Sequence, residues 1–324
     1  MIFAVWIPLL MPLLAVPAAR RLAESLPPRA AAWLLTGCAA ALAACTTAAL
    51  GLLLAAGALW LPPVAAFGHL SLSLLGGDAD VTVPAASVAG ALLTCCAIAV
   101  IRRALRHRAE LRAARRTADA HSLAGDLCVL PDAAPDAFAL PGRPDRVVVT
   151  AGMLRALPPA EREALFAHER AHLTGRHHLF LLTVALASAC HPLLRGLRPS
   201  LAYALERWAD ESAASRVGDR RVTARAIGRA ALAARAHATA LPRPSTALAA
   251  TTGPVPRRVA ALLTPDHPAD HPRRHPGLHG RRLIAAALLA CITFSAAAAV
   301  EAAADLHQTV ESAQGEHHGD RGRG

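Results

Sequence analysis

Two histidines and a glutamate stand close together in the segment His168-Glu169-Arg170-Ala171-His172. Residues four positions apart lie on one face of a helix, so both imidazoles could bind the same metal ion. This pattern is typical of a zinc site in which the glutamate serves as a base for water. The alternative is a surface helix that carries two histidines by chance, in a chain with 16 of them. Predicted strands before the helix, the apolar Leu165 and Phe166, and a third ligand downstream favour the zinc site.

The third ligand is expected in the segment YALERWADE at 203–211, which predicts a helix. A zinc ion in a hydrolytic site takes three protein ligands and one water. Glu206 and Asp210 are four residues apart and share a face, so one can bind the metal while the other accepts a hydrogen bond from a ligating histidine. We expect Glu206 to be the ligand and Asp210 its supporting carboxylate. A solvated helix face is the alternative for each acid.

A hydrogen-bond donor for an oxyanion is harder to identify. Tyr203 is the single tyrosine in the chain and lies three residues before Glu206. It is a candidate donor, although a packing role explains it equally well. His177 and His178 are further candidates.

The composition points to a membrane, because 54% of the 324 residues are hydrophobic, 18% are charged and the mean hydropathy is +0.35. A spanning helix needs about 20 apolar residues. Uncharged stretches of suitable length predict four spans, at about 1–19, 31–61, 82–101 and 283–300. A signal peptide is the alternative for the first, but its basic residues would precede the apolar stretch, whereas here they follow it.

Arginines set the predicted orientation, since the chain has a net charge of +11 and contains no lysine. Short loops rich in basic residues stay in the cytoplasm. Arg20, Arg21 and Arg29 place the first loop inside, and the seven arginines between 102 and 116 place the next segment inside. We therefore expect the N-terminus outside, residues 102–282 in the cytoplasm, and residues 301–324 as a short disordered tail outside.

Residues 102–282 form the predicted soluble domain. A basic helix at 102–120 is followed by three short apolar stretches that read as strands, at 126–130, 137–141 and 146–150. A helix that begins near Pro159 carries the two histidines. The apolar stretch 179–189 is too short for a span and is expected to be a buried or interfacial helix beside the site. The histidine- and proline-rich residues 267–282 read as a linker.

The segments at 136–154, 168–172 and 206–210 together resemble the membrane-bound gluzincin peptidases. Three spans, a cytoplasmic domain and a last span most resemble the BlaR/MecR family of antirepressor metallopeptidases, whereas the HtpX type arranges its spans differently. The resemblance implies one Zn²⁺ per chain, held by His168, His172 and Glu206, with Glu169 as the base. This sequence departs from that family because it has only a short tail where the sensors carry a penicillin-binding domain, so direct β-lactam sensing is not expected.

The resulting fold class is a multi-pass α-helical membrane protein with a mainly α, α+β zincin-like metallopeptidase domain between the third and fourth spans. The expected function is a membrane zinc metalloendopeptidase that cleaves a cytoplasmic protein, such as a transcriptional repressor in a signalling pathway. One alternative is an HtpX-like quality-control protease, and another is a non-catalytic signalling protein with a structural zinc site.

The expected partners are the protein substrate and the lipid bilayer. Direct nucleic-acid binding is not expected, because the arginine-rich segment 220–235 has no recognition motif. The sequence leaves the oligomeric state open, including a homo-oligomer.

Overall fold

The computed structural model describes residues 2–67, 79–121, 123–236, 244, 246, 254–264 and 278–320. Most of the predicted linker at 267–282, part of the connection between the second and third predicted spans, and the last four residues lie outside this part of the chain. Within it the chain is mainly helical, as expected.

In the N-terminal part of the chain the described residues form four helices: α1 Ile2–Ala23, α2 Pro28–Ala58, α3 Pro62–Phe67 and α4 Ala79–Asp119. Helix α1 packs against α2, and α2 packs against α4. Gly57 permits a close approach of α2 to α4, because a Cβ atom there would lie 2.1 Å from the Cβ of Ala86. Helix α4 continues without a break from the predicted third span into the predicted basic helix.

Three described stretches are long and apolar enough to cross a membrane: Pro28–Ala58, Ala79–Asp119 and Arg282–Asp305. They coincide with the predicted spans at 31–61, 82–101 and 283–300. The predicted first span lies on α1, whose first side chains are outside the described residues. The total of four spans, and their orientation, therefore stay predictions.

The domain after α4 begins with a four-stranded sheet built from β1 Leu123–Ala124, β2 Leu127–Leu130, β3 Ala137–Leu140 and β4 Arg146–Thr150. The strand order is β1-β2-β4-β3, with β2 parallel and β3 antiparallel to β4. The last three strands match the sequence prediction, while the two-residue β1 was missed. Strand β3 forms one edge of the sheet.

Among its described residues, this domain also has six helices: α5 Ala151–Ala156, α6 Pro159–Thr174, α7 His177–Cys190, α8 Arg198–Val217, α9 Arg220–Arg235 and α10 Val255–Leu263. A 3₁₀ helix, Pro192–Leu197, connects α7 to α8. Helix α6 starts with Pro at its first position and Glu161 in its first turn, both of which suit a helix N-terminus. It packs on β3, α8 and α9.

The domain and the N-terminal helices share one apolar core. Buried side chains of α1 and α2 cluster with those of α7 and α8, among them Leu35, Leu42, Val184 and Leu205. The ring of Trp33 on α2 meets that of Phe180 on α7 edge-on, with centroids 4.8 Å apart. Helix α7 therefore lies between the domain and the apolar helices, in agreement with the prediction of a buried or interfacial helix.

The C-terminal helix α11, Leu278–Asp320, is longer than the sequence analysis predicted. The tail expected to be disordered at 301–324 is helical as far as Asp320. Its first residues are largely alanine, which has the highest intrinsic helix propensity, so the helix can continue past the apolar span. Helix α11 packs against α1 and α2.

The core between the sheet and α6 gives a direct test of this fold. Leu165 is 1% exposed and packs with Val147 and Val149 of β4. We expect Leu165→Ala to lower the free energy of unfolding by about 2–5 kcal/mol, because it leaves a cavity. The measurement is denaturant unfolding of the detergent-solubilised protein. Leu232→Ala on α9 is the control, since Leu232 is 70% exposed; equal effects of the two substitutions would contradict the packing.

Candidate metal centre

The two histidines of α6 meet at their Nε2 atoms. The Nε2 atoms of His168 and His172 are 3.1 Å apart, and both residues are buried. The α-helical spacing of four residues accounts for this, because it places one imidazole a turn above the other. The pair therefore presents two nitrogen donors to the same point.

Glu206 on α8 supplies an oxygen donor at that point. Its Oε2 lies 3.4 Å from Nε2 of His168, and its Oε1 lies 3.9 Å from Nε2 of His172. One ligand atom from each of the three residues lies within 4.8 Å of the other two. Two imidazoles and one carboxylate are a donor set that Zn²⁺ accepts in catalytic sites, so the residues fit this metal. The structure brings together the three ligands that the sequence predicted, while their binding of a metal stays a prediction.

Asp210 lies one turn beyond Glu206 and contacts the other nitrogen of His168. Its Oδ1 is 3.1 Å from Nδ1 of His168, so the carboxylate can fix the ring with Nε2 directed at the centre. Burial alone would lower the pKa of His168, but the carboxylates of Asp210 and Glu206 outweigh it and raise that pKa to about 9. The site thus favours positive charge on His168, whereas burial, followed by the charge on His168, lowers the pKa of His172 well below its usual value.

A buried arginine that the sequence analysis missed completes the charge balance. The Arg258 side chain from α10 is 0% exposed. Its Nε and Nη2 donate to the two carboxylate oxygens of Asp210 at 2.8 and 2.6 Å, and its Nη1 lies 2.7 Å from Oε2 of Glu206. Burial opposes ionisation of Asp210, yet the bonds from Arg258 and His168 lower its pKa to about 2. The only sequence signal was an arginine in a short apolar helix, and nothing in its position pointed to Glu206.

His177 at the start of α7 supports the second histidine. Its Nδ1 lies 2.7 Å from Nδ1 of His172, which leaves Nε2 of His172 directed at the centre. Burial, followed by the charge on His168, lowers the pKa of His177 to about 3, so this ring is neutral. The turn before α7 requires Gly175, because a Cβ atom there would lie 2.4 Å from Nε2 of His177. The structure therefore gives His177 a supporting contact, where the sequence analysis had considered it as an oxyanion donor.

The remaining predicted residues fall in different places. Glu169 is fully buried beside His168 on α6. Burial opposes the charge of Arg258, but Glu206, Asp210 and, to a smaller extent, Glu169 outweigh it and raise the pKa of Arg258. The Tyr203 ring lies under the guanidinium of Arg257, 4.6 Å from it, and within the described residues it makes no recorded contact with the three candidate ligands. Its packing interpretation therefore fits better than a role as oxyanion donor.

Replacing the buried Arg258 should destabilise the metal-free protein more than the zinc-loaded protein. Arg258→Met leaves Glu206 and Asp210 buried without their cation, at a cost of about 3–5 kcal/mol. Zn²⁺ supplies positive charge at the same place, so the cost should be smaller in zinc-loaded protein. Denaturant unfolding with zinc and with EDTA measures both values. Arg216→Met, at an exposed position of α8, should change stability by less than about 0.5 kcal/mol. A cost for Arg258→Met that is equal with and without zinc would contradict this charge balance.

The stability of the zinc-free protein should fall as the pH rises from about 6.5 to about 9. The pKa of His168 is raised to about 9 from 6.5, so the stabilising proton is fully bound below pH 6.5 and is lost as the pH passes the higher value. Unfolding in EDTA across pH 6–10 measures the decline. The His168→Gln variant serves as the control, and an identical decline in that variant would exclude His168 as its source.

Comparisons with known proteins agree with this chemistry over part of the chain. The model of peptidase family M48 matches residues 102–197, which include the sheet and the two histidines but end before Glu206. A protease HtpX homolog of Acaryochloris marina (strain MBIC 11017) is 38% identical over 79 residues, which are 24% of this chain and 26% of the relative. The chain thus spans about a quarter of that relative's length. No solved structure matches the chain. Neither match is specific to the BlaR/MecR type of peptidase. Residues 102–197 are therefore similar to peptidase family M48, a family of zinc metalloproteases.

Proposed function

We propose that the chain is a membrane-bound zinc metalloendopeptidase. The observation that carries this proposal is the buried cluster of His168, His172 and Glu206, with Glu169 directly beside it. A purely structural zinc site has no use for an adjacent buried base. The intact Glu169 therefore favours catalysis over the alternative of a non-catalytic signalling protein.

Each residue of the centre would have a separate role in peptide hydrolysis. His168, His172 and Glu206 would hold one Zn²⁺, which when bound would lower the pKa of water to about 7 and polarise a peptide carbonyl. Glu169 accepts the proton of the attacking water on its carboxylate and passes it to the leaving amine. Asp210 and His177 keep the two imidazoles oriented, since each contacts the ring nitrogen opposite the centre.

Strand β3 offers a place for an extended substrate. It is an edge strand, and the sheet packs it against α6. Ala139 of β3 lines the same narrow space as His172 and His177. A peptide that adds to this edge would align its backbone by main-chain hydrogen bonds, with a peptide bond next to the histidines. Main-chain hydrogen bonds are the same for all side chains, so such binding would depend little on the substrate sequence. It suits an endopeptidase, which cleaves within a chain.

Two substrate classes have separate support. The similarity to an HtpX homolog favours quality control of many unfolded or membrane proteins. The predicted order of three spans before the domain and one after it, of which the second, third and last coincide with candidate spans of the structure, favours a BlaR/MecR-like enzyme that cleaves one cytoplasmic regulator, such as a repressor. In both proposals the domain is cytoplasmic, because the arginines flank its ends.

The Glu169→Gln variant should keep zinc and lose proteolysis. The amide cannot accept the water proton, so the rate should fall by about 10²–10⁴-fold, while the three ligands are unchanged. Zinc content by mass spectrometry and cleavage of an unfolded protein such as casein give the two readouts. Glu163→Gln, an exposed position of the same helix, is the matched control. Proteolysis retained by Glu169→Gln would reject the assignment.

A comparison of wild type with the Glu169→Gln variant in cells also distinguishes the two substrate classes. Proteins that accumulate in cells with Glu169→Gln, relative to wild type, are candidate substrates. Many unrelated proteins would indicate quality control, whereas one regulator would indicate the signalling type.

A further inference from the structure

A second cavity lies at the junction between the apolar helices and the domain. Its volume is about 700 Å³, within the range of small-molecule sites. The end of α1, the connection from α1 to α2, the start of α8 and the start of α10 form its walls. Its polar lining residues include Arg20, Glu24, Ser200, Tyr203, Arg207 and Arg257. We name it the basic cavity.

The charge of the basic cavity suits an anion. Three arginines face one carboxylate, that of Glu24. Arg207 is paired with Glu211 at 2.7 Å. No ion pair is recorded for Arg20 or Arg257 in the part of the chain that the structure describes. The guanidinium of Arg257 is held over the Tyr203 ring, which fixes its position without neutralising it. Two arginines are thus available for an anionic ligand.

The location of the basic cavity indicates where such a ligand would come from. Arg20 and Arg21 follow the apolar part of α1, and the candidate span of α2 begins at Pro28. The connection between these helices therefore lies where apolar helix surface ends, which is the level of lipid headgroups in a bilayer. Arginine binds phosphate oxygens with paired N–H donors.

We propose that the basic cavity binds the phosphate group of an anionic phospholipid, through Arg20 and Arg257. The hydroxyl groups of Ser200 and Tyr203 line the same space and can donate to the remaining oxygens of the headgroup. This site is separate from the candidate metal centre, and it rests on the membrane location of the helices, independently of any peptidase activity.

Native mass spectrometry of the full-length protein in detergent tests the proposal. The probes are short-chain phosphatidylglycerol, short-chain phosphatidylcholine and inorganic phosphate. We expect wild type to bind phosphatidylglycerol at least about tenfold more tightly than phosphatidylcholine. The double variant Arg20→Gln/Arg257→Gln should lose this preference. The matched control Arg216→Gln/Arg221→Gln removes two exposed charges elsewhere and should keep it.

Two further variants guard against a folding defect. Arg20→Lys/Arg257→Lys keeps the charge and should retain phosphatidylglycerol binding, whereas Ser200→Trp fills the cavity at constant charge and should block it. If inorganic phosphate displaces bound phosphatidylglycerol only weakly, the result supports a site for a lipid headgroup. If inorganic phosphate competes as strongly as phosphatidylglycerol itself, the site is assigned to free phosphate. Equal binding of phosphatidylglycerol by wild type, the double Gln variant and Ser200→Trp would overturn the proposal. Because no readout uses proteolysis, this result is independent of the fate of the peptidase assignment.

Discussion

The buried ion pair between Arg258 and Asp210 is the interaction on which the candidate metal centre depends. Glu169, Glu206 and Asp210 are each at most 1% exposed, and their centre contains histidines that burial alone would keep neutral. Burying ionised carboxylates without compensation is costly. Arg258 reaches two of them at once through a planar group with several donors, a geometry that lysine lacks. A buried pair of this kind contributes little net stability, so its value lies in holding the carboxylates in one arrangement.

That arrangement joins parts of the chain that are far apart in sequence. Helix α6 brings the histidines, α8 brings the carboxylates, and α10 brings the arginine. The opposite side of α8 belongs to the core shared with α1, α2 and α7, through residues such as Leu201 and Leu205. Helix α8 therefore connects the candidate metal centre to the apolar helices, and its first residues also line the basic cavity.

The sequence allowed prediction of those features that depend on local periodicity. His168 and His172, and likewise Glu206 and Asp210, are four residues apart on helices, so a helical assignment places each pair on one face. The strands at 127–150 and the apolar helices follow from residue patterns of the same local kind. Arg258 and His177 could not be assigned in this way, because their partners are set by how helices pack, and many arginines and histidines have equivalent surroundings in the sequence. The helical continuation to Asp320 was not predicted, because it depends on the helix propensity of alanine and not on a long apolar stretch.

The position of α10 also affects the order in which the site can form during synthesis. The histidines and carboxylates emerge from the ribosome well before Arg258, which lies 48 residues after Asp210. Until α10 has been made and has packed, Glu206 and Asp210 lack their contacts with the guanidinium of Arg258. The nascent chain therefore cannot complete the closed centre before α10 has been synthesised and has packed against α8. A chain that terminates early would keep the histidine motif while lacking the arginine that holds its carboxylates in place.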